Sequence, residues 1–301
     1  MLRQKIRVII NIIVMTMPGM ALAANPSEGG ATTKVNYSPA GQSGAEKGVE
    51  GVKEQGPLVF SAPPRENQQA SIETYTPIAE YLSKVLGKQV TYKYPGNWFS
   101  YQADMQKGNY DLVFDGPHFN GWRSAKLQHN VLARFPGELT FVVAVKKGSD
   151  SIADLKQLSG RTVCGMNPPN LGTLTLLSQF DNPARQPVIV NAEGWENIYK
   201  SLMADKCTAA VLPIKNLEKY DRGTFTKVIF KAKPLPNQAF SAGPRISSED
   251  QAKIAQALVV QQASGPTAKL REIYAIDGNL VAATKQEYAG LGKWLKDTRG
   301  Y

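Results

Sequence analysis

The turn Asn167-Pro168-Pro169-Asn170-Leu171-Gly172-Thr173 leads straight into a helical pattern. A helix N-terminus offers free N–H groups and the positive end of the peptide dipoles, a setting that suits an oxyanion. Asn167, Asn170, Gly172 and Thr173 are therefore candidates to cradle an anionic group. The competing reading is that Asn170 or Thr173 simply caps the helix. His118 follows Gly116-Pro117 at a strand end and is a candidate donor to the same anion, better when protonated. Its alternative role is a helix-start histidine packed on Trp122. Asp115 beside it is a poor companion for an anion. It pairs with Arg65 or Arg123, or it marks a ligand with a cationic part. Ser61 and Arg65 stand at the end of the first strand. Trp98, Trp195 and Tyr75 are aromatic candidates, either walls of a ligand site or pieces of the core.

Other chemistries are poorly served. Ser61, His118 and Asp115 are the residue types of a hydrolytic triad, but no G-x-S-x-G elbow accompanies them. Gly265-Pro266-Thr267-Ala268-Lys269 lacks the glycine spacing of a phosphate loop. The chain has 2 histidines, and neither stands at zinc spacing from another ligand. No catalytic residue, metal or cofactor is expected.

The elements that must position these residues alternate. Leu58–Ser61 reads as a strand and Ile72–Leu86 as a helix stopped by Gly87, with Pro77 as an alternative start capped by Thr76. Val90–Tyr94 is a strand, Trp98–Lys107 a helix and Tyr110–Phe114 a buried strand. A long β-rich run, Leu139–Val145, precedes a second series. Its strands are Arg161–Met166, Pro187–Val190 and Thr208–Leu212, and its helices are Gly172–Phe180 and Glu196–Ala204. Helices are also expected over Ser248–Ala263 and Lys285–Lys296. This order predicts an α/β fold with largely parallel sheets. In such sheets ligands collect beyond the carboxyl ends of the strands, where the candidates above stand.

Residues 1–23 have cations at Arg3, Lys5 and Arg7, an apolar run from Val8 to Met17, and Ala21-Leu22-Ala23. That is the pattern of a cleavable secretory signal peptide, and its apolar run is too short to span a bilayer. Residues 24–56, rich in Gly, Ser, Thr and Glu, read as a flexible leader. The chain has 35 Lys+Arg against 25 Asp+Glu, and removing three signal-peptide cations from +10 leaves +7. The charges are scattered, with no like-charge block that would bind nucleic acid. Cys164 and Cys207 lie in apolar strand-like segments of an exported chain, so a disulfide and two free buried thiols both remain open.

Three stretches line up with one family. They are Ser61-Ala62-Pro63-Pro64 after the first strand, Tyr75-Thr76-Pro77-Ile78-Ala79-Glu80-Tyr81-Leu82, and Asn109-Tyr110-Asp111-Leu112-Val113-Phe114-Asp115-Gly116-Pro117-His118. Cys207-Thr208-Ala209-Ala210-Val211-Leu212-Pro213 is similar to the same family's second-lobe strand. Over about residues 57–290 the chain resembles the periplasmic phosphate/phosphite/phosphonate-binding proteins of ABC importers. The resemblance implies a two-lobe, type II periplasmic-binding-protein fold with a ligand cleft between the lobes. Lobe 1 would hold residues 57–140 and 243–301. Lobe 2 would hold residues 141–242, with crossovers near 139–145 and 237–243. It implies that Trp98 faces the ligand. At the Asn167–Thr173 turn the family carries a hydroxyl-rich run, where this chain has Pro169-Asn170-Leu171. The implied function is capture of a small oxyanionic solute by cleft closure, as a monomer, for an inner-membrane ABC permease. The alternative partner is a membrane sensor kinase.

Overall fold

The computed structural model describes residues 56–260, 265–296 and 301. The expected signal peptide and all of the expected leader except Gly56 lie outside the described residues. In chain order the first elements are β1 (Leu58–Ser61), α1 (Gln68–Leu86), β2 (Val90–Tyr92), α2 (Trp98–Gln106), β3 (Leu112–Asp115), α3 (Pro117–Lys126), β4 (Asn130–Arg134), β5 (Glu138–Leu139) and β6 (Phe141–Lys146). They are followed by β7 (Thr162–Gly165), α4 (Leu171–Leu177), β8 (Val188–Asn191), α5 (Trp195–Met203), β9 (Ala209–Pro213), α6 (Ile214–Tyr220), β10 (Thr226–Lys231) and β11 (Leu235–Pro236). The described chain ends with β12 (Ala239–Ala242), α7 (Ser248–Val259), α8 (Ala268–Ile273), β13 (Val281–Ala282) and α9 (Lys293–Lys296).

These strands form two sheets, one per lobe. The first runs β13-β4-β12-β3-β1-β2 and the second β10-β6-β9-β7-β8. Parallel pairing joins β1 to β2 and β3 in the first sheet, and β7 to β8 and β9 in the second. The central strands β3, β9 and β12 are buried along their whole length, and β9 reads as an unbroken apolar run. A short antiparallel ladder, β5 with β11, ties together the two segments that cross between lobes. The crossing therefore lies a few residues before the stretches expected for it. Phe141–Lys146 is a strand of the second sheet, and Ala239–Ala242 one of the first.

Local chemistry explains the helix limits. Asn67 caps α1 by accepting from the Ala70 N–H at 2.9 Å, so the helix starts at Gln68, before both the expected Ile72 and the alternative start at Pro77. Pro77 sits inside α1 but is exposed, so the carbonyl it deprives of a partner can turn to water. Gly87 ends the helix at φ 63°. α5 buries Trp195, Ile198 and Leu202 on one stripe. The long C-terminal helix expected over 285–296 is instead a 3₁₀ turn, Lys285–Tyr288, and the short α9. Cys164 on β7 is bonded to Cys207 in the turn before β9, with Cα atoms 5.6 Å apart.

Candidate functional site

Strand ends of both lobes meet at a pocket of about 90 Å³. From lobe 1, Arg65 arrives on the loop after β1, and Tyr94, Asn97 and Trp98 on the turn after β2. From lobe 2, Asn167 arrives after β7, and Asn191 and Glu193 after β8. Asn97 also caps α2, accepting from Ser100 N–H at 2.9 Å, which holds its amide oxygen away from the pocket. Trp98 stacks on Phe119 with ring centroids 6.2 Å apart and meets Tyr101 edge-on. A smaller void of about 20 Å³ lies beside the crossover, between Thr140, Asn216, Gln238 and Tyr274.

The lobes touch on both sides of this pocket. Gly194 N–H of lobe 2 donates to the Arg65 carbonyl of lobe 1 at 2.8 Å. His118 of lobe 1 faces the Pro169 carbonyl of lobe 2, with Nε2 at 3.0 Å. A carbonyl only accepts, so Nε2 carries the proton and Nδ1 is bare. Burial is the main cause that lowers the His118 pKa to about 4, so the ring is neutral at ordinary pH. Leu174 of α4 packs with Tyr101, Phe119 and Leu295 of lobe 1.

Behind the pocket wall lies a buried ionic cluster. Asp115 Oδ1 accepts from Arg65 Nη2 at 2.8 Å and from Gly116 N–H at 2.6 Å. Its Oδ2 accepts from Arg123 Nη1 at 3.1 Å, Arg123 Nη2 at 3.2 Å and the Tyr101 hydroxyl. Arg65 also donates to the Tyr274 hydroxyl at 3.3 Å. A guanidinium has more N–H donors than these two bonds use, so Arg65 can still face the pocket with donors.

Of the candidates read from sequence, the structure brings Arg65, Trp98 and Asn167 onto one pocket. Asp115 pairs with both arginines named for it and is fully buried. Ser61 is buried and donates to the Lys93 carbonyl at 2.9 Å. Asn170 caps α4 through Gly172 N–H at 3.0 Å, and Thr173 donates to the Met166 carbonyl at 2.5 Å. Tyr75 is buried in an aromatic stack with Tyr92. Trp195 is 2 % exposed, tilted against Phe141. The hydrogen bonds of Ser61, His118 and Asp115 thus lead to separate partners rather than along a relay.

At Gly172 an added Cβ would lie 2.7 Å from two ring atoms of Phe141. The position is set by packing between α4 and β6. Gly172→Ala is expected to destabilise the fold by about 1–3 kcal/mol, as overpacked cores do, and a chemical denaturation series measures it.

Tyr94, Asn191 and Glu193 line the pocket without having been singled out in the sequence. They stand after β2 and β8, so the strand-end rule that selected Asn167 would have reached them as well.

Residues 60–288 match the family of ABC transporter phosphonate periplasmic substrate-binding proteins. No curated protein matches the chain. Among solved structures it is similar to PhnD1 of Prochlorococcus marinus in complex with methylphosphonate. That pair has TM-score 0.63 and 14 % identity, over 79 % of this chain and 97 % of that one. A binding-protein component of a phosphonate ABC transporter from Pseudomonas aeruginosa gives TM-score 0.61 and 14 % identity, over 77 % and 83 % of the two chains. A Xanthomonas citri protein bound to ATP gives TM-score 0.60 and 13 % identity, over 82 % and 100 %. These likenesses establish the two-lobe fold, and the family match over most of the folded chain places the protein among the periplasmic substrate-binding proteins of phosphonate ABC transporters.

Proposed function

We propose that this chain captures a small oxyanion between its lobes in the periplasm and presents it, as a monomer, to the membrane permease of an ABC transporter. One observation carries the reading: strand ends of both lobes converge on a pocket lined by Arg65 and the amides of Asn97, Asn167 and Asn191. Guanidinium and amide N–H groups are the donors an oxyanion needs. Trp98 supplies an apolar wall for a short organic substituent. The Cys164–Cys207 disulfide fits an oxidising compartment, reached by cleavage of the signal peptide over residues 1–23. In this reading the ligand leaves chemically unchanged.

Calorimetry against phosphate, phosphite, alkylphosphonates and sulfonates tests the reading, with phosphorus NMR on the released ligand. A ligand at 100 times its Kd stabilises the folded state by about 2.7 kcal/mol. For a chain of this size that is a rise of roughly 5–10 °C in melting temperature. Small-angle scattering is expected to show a more compact particle with ligand. A folded protein that binds none of the panel would overturn oxyanion capture, and an unchanged radius on binding would overturn closure.

A further inference from the structure

We propose that Leu174 is the latch of the closed cleft, an apolar knob from lobe 2 that seats among aromatic side chains of lobe 1 and sets the affinity for every oxyanion without touching any of them. The inference rests on the oxyanion reading above and adds a residue that acts on closure alone. Leu174 stands on α4 and is 8 % exposed. The buried cluster it joins is otherwise built from lobe 1, with Tyr101, Met105, Tyr110, Val113, Phe119 and Leu295 as its members. Its neighbour on the helix serves the other side. Leu176 packs with Val143, Val163 and Val211 of lobe 2's own sheet.

The position makes this contact depend on closure. The chain passes between the lobes at residues 135–140 and 232–238, and Leu174 lies on neither segment. Two hydrogen bonds accompany it, His118 Nε2 to the Pro169 carbonyl at 3.0 Å and Gly194 N–H to the Arg65 carbonyl at 2.8 Å. They too join lobe to lobe outside the crossovers. Rotation about the crossovers would part all three contacts together. An N–H and a carbonyl that lose each other find water, so the two hydrogen bonds shift the balance only modestly. A leucine side chain finds no such substitute, and its burial favours the closed form by roughly 10–100-fold.

The latch stands behind the aromatic wall of the site. Phe119, a member of the same cluster, stacks on Trp98 with ring centroids 6.2 Å apart and meets Tyr101 edge-on at 5.5 Å. Trp98 lines the pocket and Leu174 does not. Leu174 therefore reaches a bound solute only through the fraction of protein that is closed. An effect of that kind multiplies every dissociation constant by one factor. A residue that touched the solute would change methylphosphonate and phosphate by different factors.

Calorimetry and stopped-flow tryptophan fluorescence with methylphosphonate, ethylphosphonate and inorganic phosphate test this. Leu174→Ala is expected to raise each dissociation constant by roughly 10–100-fold, with the factors agreeing within about threefold over whichever of the three bind. The loss should sit in the dissociation rate, since the open cleft that first meets the solute is the same in both proteins. Should Leu174→Ala fail to fold, as judged by melting, Leu174→Val removes one methylene and should still raise each constant by about fourfold. A rise below about threefold for Leu174→Ala, or below about twofold for Leu174→Val, overturns the latch. So do factors that differ between probes by more than about threefold, or a loss confined to the association rate. Each of these results leaves oxyanion capture standing. If the wild-type protein binds none of the three, oxyanion capture falls. The latch is then judged by small-angle scattering of the unliganded proteins, where a Leu174→Ala particle as compact as wild type overturns it as well.

Discussion

Asp115→Ala is expected to lower the stability of the unliganded protein by about 3–5 kcal/mol. For a folded part of this size the melting temperature should drop by on the order of 10 °C. The reason is what the substitution leaves behind. Arg65 and Arg123 are 3 % and 1 % exposed, and both guanidinium groups converge on this one carboxylate. Without it two positive charges stay in the interior with only Tyr101, Tyr274, Asn120 and Met105 as partners. Removing one member of a buried ion cluster costs far more than the cluster itself contributes. The comparison that separates these two quantities is a triple variant, Arg65→Met with Asp115→Leu and Arg123→Met. It should recover most of the stability lost by Asp115→Ala, because no unpaired charge remains. It should not recover ligand binding, because Arg65 lines the pocket. A triple variant as unstable as Asp115→Ala would mean that the arginines contribute packing or backbone support that Met cannot replace.

What the sequence discloses about this cluster and what it hides follow from separation along the chain. The β-α alternation is a local property, and the strands from β1 to β3 and from β7 to β9 follow from it. Asn97 and Gly87 end or begin helices by contacts within three residues, and such signals are readable. The start of α1 is also local, yet Pro77 masks it. A proline inside a helix is tolerated only because its turn faces solvent, and exposure is a tertiary fact. The partners of Asp115 lie 50, 14 and 8 residues away, and only the arginines have a charge that draws attention to them. Tyr101 had no such mark. Glu66 is the extreme case. In the sequence it is one acid in a polar loop, Arg65-Glu66-Asn67-Gln68-Gln69. Its burial depends on α1, on the tyrosines around it and on a lobe whose sequence begins some eighty residues later. The anion turn at 170–173 shows the converse. Its residues suit a helix cap and an anion cradle equally, and the structure uses Asn170 as a cap.

Glu66→Gln is expected to stabilise the unliganded protein at alkaline pH and to change little near pH 4.5. Burial raises the Glu66 pKa from 4.5 to about 7, opposed by the adjacent Arg65 and reinforced by Glu193. Between those two values the folded protein keeps a proton that the unfolded chain has released. Stability therefore falls as pH rises through this window, and the full cost, about 3 kcal/mol, is present above it. His118 and His129 act in the opposite sense. Burial lowers them to about 4 and about 3, so the unfolded chain takes up protons first and stability rises with pH up to about 6.5. The wild-type profile mixes both slopes, and the difference between Glu66→Gln and wild type isolates one. That difference should grow from near zero at pH 4.5 to about 3 kcal/mol by pH 8. Denaturation in urea at half-unit steps of pH measures it. A flat difference across the range would place Glu66 in contact with water or with a cation already supplied by the protein.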